Sequence, residues 1–204
     1  MTDLRVLAFN CSLKPSPAES STDLLIGQVL GELERAGATT DTVRLADFDI
    51  KPGVEKDMGN GDAWPSIASK VREADILVFG TPTWLGHPSS IAQRALERLN
   101  AESSQTDDNG VPVLFGKVAV VAVVGNEDGA HAIIADTFQG LNDCGFSIPA
   151  HGATYWNGEA MSGDDYKDLD ETPSAVDGTN KTSAHNAVHL ARLLRESGYP
   201  ATSS

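Results

Sequence analysis

Cysteine is scarce in this chain of 204 residues: Cys11 and Cys144 are the only two. Two thiols so far apart cannot supply the four thiolates of a Cys-only zinc or iron–sulfur site, nor the dense spacing of a secreted disulfide scaffold. Long apolar runs are missing too. No stretch approaches the ~18 residues of a membrane span. The first apolar run, Leu4 to Phe9, is too short for a signal peptide and lacks its flanks. Positive charge is in deficit: 15 basic against 29 acidic residues give a net charge of −14. Nucleic acid or an anionic membrane surface is therefore not expected as the main partner, because both need a basic patch. A small anionic ligand needs only one local pocket of donors and stays open. Two phosphate signatures are also absent. There is no GxxxxGK[ST]; the nearest string, Gly110 to Lys117, has the wrong spacing and runs into Val118. There is no GxGxxG either, which argues against an adenine dinucleotide at the first turn. The expectation is a cytoplasmic protein with reduced thiols, folded as one domain over 1–204 and long enough to bury a core without metal or disulfide.

What is present is an alternation. Leu4 to Phe9 reads as a strand, followed by a polar loop from Asn10 to Ser21. A helix is predicted over about 22–36, with Leu25, Ile26, Val29, Leu30 and Leu33 on one face and Gly37 as its stop. Thr42 to Leu45 is a second strand. Residues 47–63, with Pro52 and Gly53, Gly59 and Gly61, read as loop. A short helix is expected over 65–73. The continuous apolar run from Asp75 to Gly80 and the still more apolar Val118 to Val124 imply strands buried on both faces, as in a parallel sheet. Helices are predicted between them, around Ile91 to Leu99, and after them over about 130–143. Phe146 to Ile148 reads as a fifth strand, and a last helix over about 183–197 stops at Gly198 and Pro200. Residues 101–112 and 157–182 read as polar insertions, the second as a solvated or partly disordered acidic segment. The order β-α-β-α-β-α-β-α-β-α predicts an α/β sandwich with a five-stranded parallel sheet in the order 2-1-3-4-5.

Open sheets of this kind bind ligands at the carboxyl ends of their strands, near the point where strand order reverses. Three loops fall there. The first, Asn10 to Thr22, is rich in hydroxyls, carries Lys14 and opens a helix, a setting suited to phosphate. Its plainer reading is a serine helix cap. The second, Thr81 to Ser90, sets Trp84 beside Gly86, a wall for a flat aromatic ligand. The plainer reading there is a Pro/Gly turn, with Ser89 or Ser90 capping the next helix. The third, Gly125 to His131, follows the most apolar strand with two glycines around three polar residues. It offers backbone amides to a ligand's polar edge, or is simply a turn with Asp128 as helix cap.

Together the three loops resemble the FMN-binding loops of flavodoxin-like NAD(P)H-dependent oxidoreductases, the group of NADPH-dependent FMN reductases and multimeric flavodoxin-like quinone reductases. Ser12, Lys14, Ser20, Ser21 and Thr22 resemble the phosphate loop. Pro82, Thr83, Trp84, Leu85 and Gly86 resemble the string beside the flavin ring. Gly125, Asn126, Glu127, Asp128 and Gly129 resemble the third flavin loop. The resemblance covers about residues 4–150 and implies FMN as cofactor, NAD(P)H as electron donor and a quinone, flavin or similar small molecule as acceptor. It implies no catalytic side chain, because the flavin carries the chemistry, and a homodimer or homotetramer. A flavodoxin-type carrier of single electrons to a partner protein is the alternative, with the −14 charge steering docking. The chain departs from the pattern in Asn10-Cys11 before Ser12, in two extra prolines, and in a lysine where arginine is frequent.

His185 and His189 stand i, i+4 on the last predicted helix, but no third metal ligand accompanies them, so no metal site is expected. Cys11 is expected to pack, although a helix N-terminus nearby would lower its pKa. His131, Tyr155 and Trp156 are near the site without an assigned role.

Overall fold

Strands that are apolar on both sides need cover on both sides. The computed structural model, which describes residues 3–159 and 162–200, provides it. Its strands are β1 (Leu4–Asn10), β2 (Ala38–Arg44), β3 (Ile76–Trp84), β4 (His87–Pro88), β5 (Val118–Gly125) and β6 (Ala153–Asn157). Its α-helices are α1 (Ser21–Arg35), α2 (Trp64–Glu73), α3 (Ser90–Ser103), α4 (Ala130–Cys144) and α5 (Ser174–Glu196). The sheet runs β2-β1-β3-β5-β6, all parallel, with the two-residue β4 folded antiparallel onto the end of β3. This is the expected order of five parallel strands, plus a hairpin return that the sequence does not announce.

The period of two in each strand sorts its side chains between two cores. Leu7, Phe9, Leu77, Phe79, Val121 and Val123 meet α2, α3 and α4. Val6, Ala8, Ile76, Val78, Val118 and Val120 meet α1 and α5. The apolar face expected of α1 is the face it buries.

Several boundaries differ from expectation. β2 begins at Ala38 rather than Thr42, and α3 runs to Ser103, into the stretch read as an insertion, with Ala101 and Glu102 buried. The fifth strand is Ala153–Asn157, not 146–148. Ser147 forms only an isolated bridge with Val118, and Pro149, with no N–H to donate, stops the ladder there. β3 runs on past Gly80 to Trp84; β1 pairs with it only as far as Gly80, so Pro82 lies beyond that neighbour's end. α5 begins at Ser174, inside the stretch read as solvated. Its first half is buried through Val176, Asn180 and Ser183, a face too polar to register as periodic. The remainder of 157–182 is mostly exposed, as expected, but is tied down at Asp165, Tyr166, Lys167 and Thr172; 160 and 161 lie outside the described residues.

Candidate functional site

The first loop is built by its own side chains. Asn10, fully buried at the end of β1, accepts the Ser12 N–H at 2.9 Å and donates to the Asp23 carboxylate at 2.7 Å. Ser16 donates its N–H and its hydroxyl to Asp47, each at 2.7 Å, and these bonds hold the Asp47 carboxyl below its usual range. Ser20 caps α1 by accepting the Asp23 N–H at 3.3 Å. A helix start leaves its first N–H groups without internal acceptors. After the cap takes Asp23, those of Ser21 and Thr22 remain, and both residues line an open cleft of about 190 Å³.

The second loop is a hairpin. Leu85 (φ 53°) and Gly86 (φ 74°) reverse the chain between the paired Trp84 and His87, both in the left-handed region such two-residue turns require. Leucine rarely adopts that conformation. Here its N–H donates to Glu127 Oε1 at 2.7 Å, so the third loop holds the second. The two also touch backbone to backbone: a Cβ on Gly129 (φ 121°) would stand 2.7 Å from Gly86 Cα. Ser89 caps α3 by accepting the Ala92 N–H at 3.1 Å and donates its hydroxyl to Cys11 O at 2.6 Å, fastening the second loop to the first.

The cleft lies between these loops. Ser12, Lys14, Ser20, Ser21 and Thr22 line it from the first, Pro82, Thr83 and Trp84 from the second, and Gly125, Asn126 and Glu127 from the third. The four other candidates lie outside its lining. Leu85 is exposed at the hairpin tip, Gly86 and Gly129 form the loop contact, and Asp128 is exposed, with Gly129 rather than Asp128 at the cap position of α4. Thr83 is buried, yet its hydroxyl has no hydrogen-bond partner. A buried polar group without a partner is costly, and this one borders the cleft. The Lys14 ammonium makes no ion pair among the described residues.

Sequence reasoning missed one wall. Asp165, Tyr166 and Lys167 also line the cleft. Tyr166 is buried, donates its hydroxyl to Gln28 on α1 at 2.6 Å, and packs its ring against Trp156 with centroids 5.4 Å apart. Asp165 accepts from the Asn126 amide at 3.2 Å, and the Lys167 N–H donates to the Ser21 hydroxyl at 3.2 Å. The one available signal was a single tyrosine, followed by a lysine, in an otherwise acidic stretch.

The remaining candidates have structural settings. Burial pushes the Cys11 thiol far above its ordinary value, so the helix start does not make it a thiolate. His131 meets Tyr155 edge-on with centroids 4.9 Å apart. His185 and His189 are exposed on α5, and no group of three metal-ligating side chains occurs among the described residues. Among those residues no helix is long and apolar enough to cross a membrane.

Residues 4–160 match the model of the NADPH-dependent FMN reductases. The chain belongs to that family. It is 35% identical over 208 residues to an 8-demethyl-8-aminoriboflavin-5'-phosphate synthase of Streptomyces davaonensis, covering 96% of this chain and 80% of the relative. It is 36% identical over 199 residues to a protein of Mycobacterium bovis named divalent metal cation transporter MntH, covering 94% of this chain but only 29% of the transporter's length. Among solved structures, RosB with bound 8-demethyl-8-formylriboflavin-5'-phosphate superposes with a TM-score of 0.88 at 34% identity, over 96% of this chain and 82% of RosB. The sheet described above is thus the flavodoxin-like sheet of an FMN reductase family member.

Proposed function

We propose that this cleft binds FMN, and that the protein passes a hydride from NAD(P)H through it to a quinone, a flavin or a similar small acceptor. The observation that carries the reading is the meeting, in one cleft, of the uncapped N–H groups of Ser21 and Thr22, the unpaired ammonium of Lys14 and the partnerless hydroxyl of Thr83. The first three are what a terminal phosphate requires. A dinucleotide phosphate turn is absent.

Bound FMN would supply the hydride and electron chemistry. The chain's own residues bind and orient. Ser20, Ser21, Thr22 and Lys14 hold the phosphate. Pro82, Thr83 and Trp84 form one wall for the ring, and the backbone of Gly125 to Glu127 offers polar groups to its edge. Trp84, 53% exposed, and Leu13, 43% exposed, leave an apolar rim open to a second flat molecule. No side chain of the cleft is needed as acid or base.

The identity with the synthase supports a second reading, in which the flavin 5'-phosphate is the substrate and leaves chemically altered. One experiment separates these readings and the single-electron carrier. The FMN-loaded protein is mixed with NADPH or NADH without oxygen and its absorbance followed; a second portion is incubated in air with an amino-acid amino donor, and the flavin of both is released and weighed by mass spectrometry. Rapid bleaching with an unchanged flavin mass is the expected result. A changed mass favours the synthase-like reading, and a flavin that neither nucleotide reduces favours the carrier.

A further inference from the structure

The family match ends at residue 160, yet the cleft has a wall made by residues beyond it. That wall is well held. Gln28 of α1 accepts the Tyr166 hydroxyl and donates to the Thr172 hydroxyl at 2.8 Å, fixing the segment at two points along one helix. The Lys167 N–H bonds the hydroxyl of Ser21, the first residue of α1. Lys167 thereby joins Lys14 in the lining of the cleft. Every other charged residue of the lining is acidic: Glu19, Glu127 and Asp165.

We propose that Lys167 is a specificity-determining residue: with Lys14 it clamps the 5'-phosphate, so that the segment after residue 161 makes the site select phosphorylated flavin over riboflavin. This rests on the FMN reading above and adds a residue to it. The helix start does not stand alone as a ligand signal, since the buried, partnerless hydroxyl of Thr83 borders the same cleft. Lys167 now donates to Asp168 at 2.6 Å, a neighbouring carboxylate 57% exposed. An exposed pair of this kind is weak in water, whereas a phosphate dianion offers three strong acceptors. The ammonium exchanges the one for the other when the ester binds.

The test is the dissociation constant of FMN and of riboflavin, by flavin fluorescence, for the full chain, Lys167→Gln and Asp168→Asn. Lys167→Gln keeps the backbone bond to Ser21 and removes only charge. It is expected to weaken FMN about tenfold, to leave riboflavin unchanged and to flatten the salt dependence of FMN binding. Asp168→Asn, which frees the ammonium, is expected to tighten FMN and leave riboflavin alone. Equal loss for both flavins would make the segment a mere wall and overturn the proposal, as would no change for either. If the unaltered chain binds neither flavin, the FMN reading falls, and this inference with it. If it binds FMN and Lys167→Gln binds it equally well, only this inference falls.

Discussion

The loop after β2 and the loop after β1 have similar composition, polar and broken by proline, and both follow the carboxyl end of a strand. The first closes on itself. Arg98 and Asp62, both side chains 0% exposed, pair at 2.8 Å beneath it. Arg98 also donates to the carbonyls of Lys51 at 3.1 Å and Lys56 at 3.3 Å and lies over the Trp64 ring, while Asp62 accepts the N–H groups of Lys51, Met58 and Trp64. The buried charges of that loop are answered inside the protein, although the Trp64 Nε1–H and Arg98 Nε–H beside them have no partner. The loop after β1 leaves donors over: two N–H groups and an ammonium, at the edge of a cleft. What separates the two loops is where the cation sits: Arg98 is buried against Asp62, whereas Lys14 is exposed at a cleft.

The sharpest way to break the comparison is to unbalance the closed loop. Arg98→Met leaves the Asp62 charge buried with only backbone donors, and removal of one partner from a buried pair costs about 3–5 kcal/mol. Urea denaturation should show a loss of that size, while FMN affinity at temperatures where the variant is folded should be unchanged. A loss under 1 kcal/mol would show that the pair is solvated and that the two loops differ less than described.

Acid probes the same loop. Burial alone would raise the Asp62 carboxyl, but the N–H groups of Met58, Lys51 and Trp64, with the Arg98 guanidinium, outweigh it and hold the group below its ordinary 3.8. A carboxyl whose folded pKa is depressed contributes stability that is complete above its unfolded pKa and is lost as pH falls through the folded one. The urea midpoint should therefore drop as pH falls below about 3.8, with Asp47 and Asp107 adding in the same direction. Asp62→Asn should be less stable at pH 7 and lose less between pH 5 and acid; an unaltered acid slope would remove Asp62 from this account.

In the open loop the cation should matter to the ligand and not to the fold. Lys14 is exposed and unpaired, so Lys14→Ala should leave the denaturation midpoint of the apo-protein in place. Its FMN dissociation constant should rise about tenfold, the worth of one charge-assisted bond to phosphate. Titration calorimetry of both proteins at one salt concentration decides it, and an unchanged constant would put the phosphate elsewhere.

The sequence showed the layers because apolar periodicity is local: the face of α1 and the double-sided runs of β3 and β5 are readable within a dozen residues. It showed the three loops because glycine, proline and helix-cap chemistry are local too. The wall of Asp165 to Lys167 was hidden because its order comes from Gln28, Ser21 and Asn126, far along the chain, and no short window contains those partners. The half-polar start of α5 was hidden for the opposite reason: its buried positions include Asn180 and Ser183, so burial and hydrophobicity part company there. Leu85 in a left-handed turn was equally unreadable, since leucine at that position depends on Glu127 some forty residues away.

The smallest effect tests the hairpin that stands between the loop after β1 and the loop after β5. Trp84 stands at the cleft, 53% exposed, at the last residue of β3. So exposed a side chain does little for the core, and Trp84→Ala should cost the apo-protein little stability. If the flavin ring lies against it, the variant gives up the part of an aromatic contact that exceeds burial, about 0.5–1.5 kcal/mol, or roughly two- to tenfold in affinity. The hairpin itself should persist, because the Leu85 N–H still reaches Glu127 and Gly86 still meets Gly129. Thermal melting of the apo-protein and FMN affinity, measured on the same preparation, give the two quantities. Lost affinity with a preserved melting temperature places the indole on the ring; a lower melting temperature with normal affinity makes Trp84 a cap on the sheet edge and takes the hairpin out of the binding site.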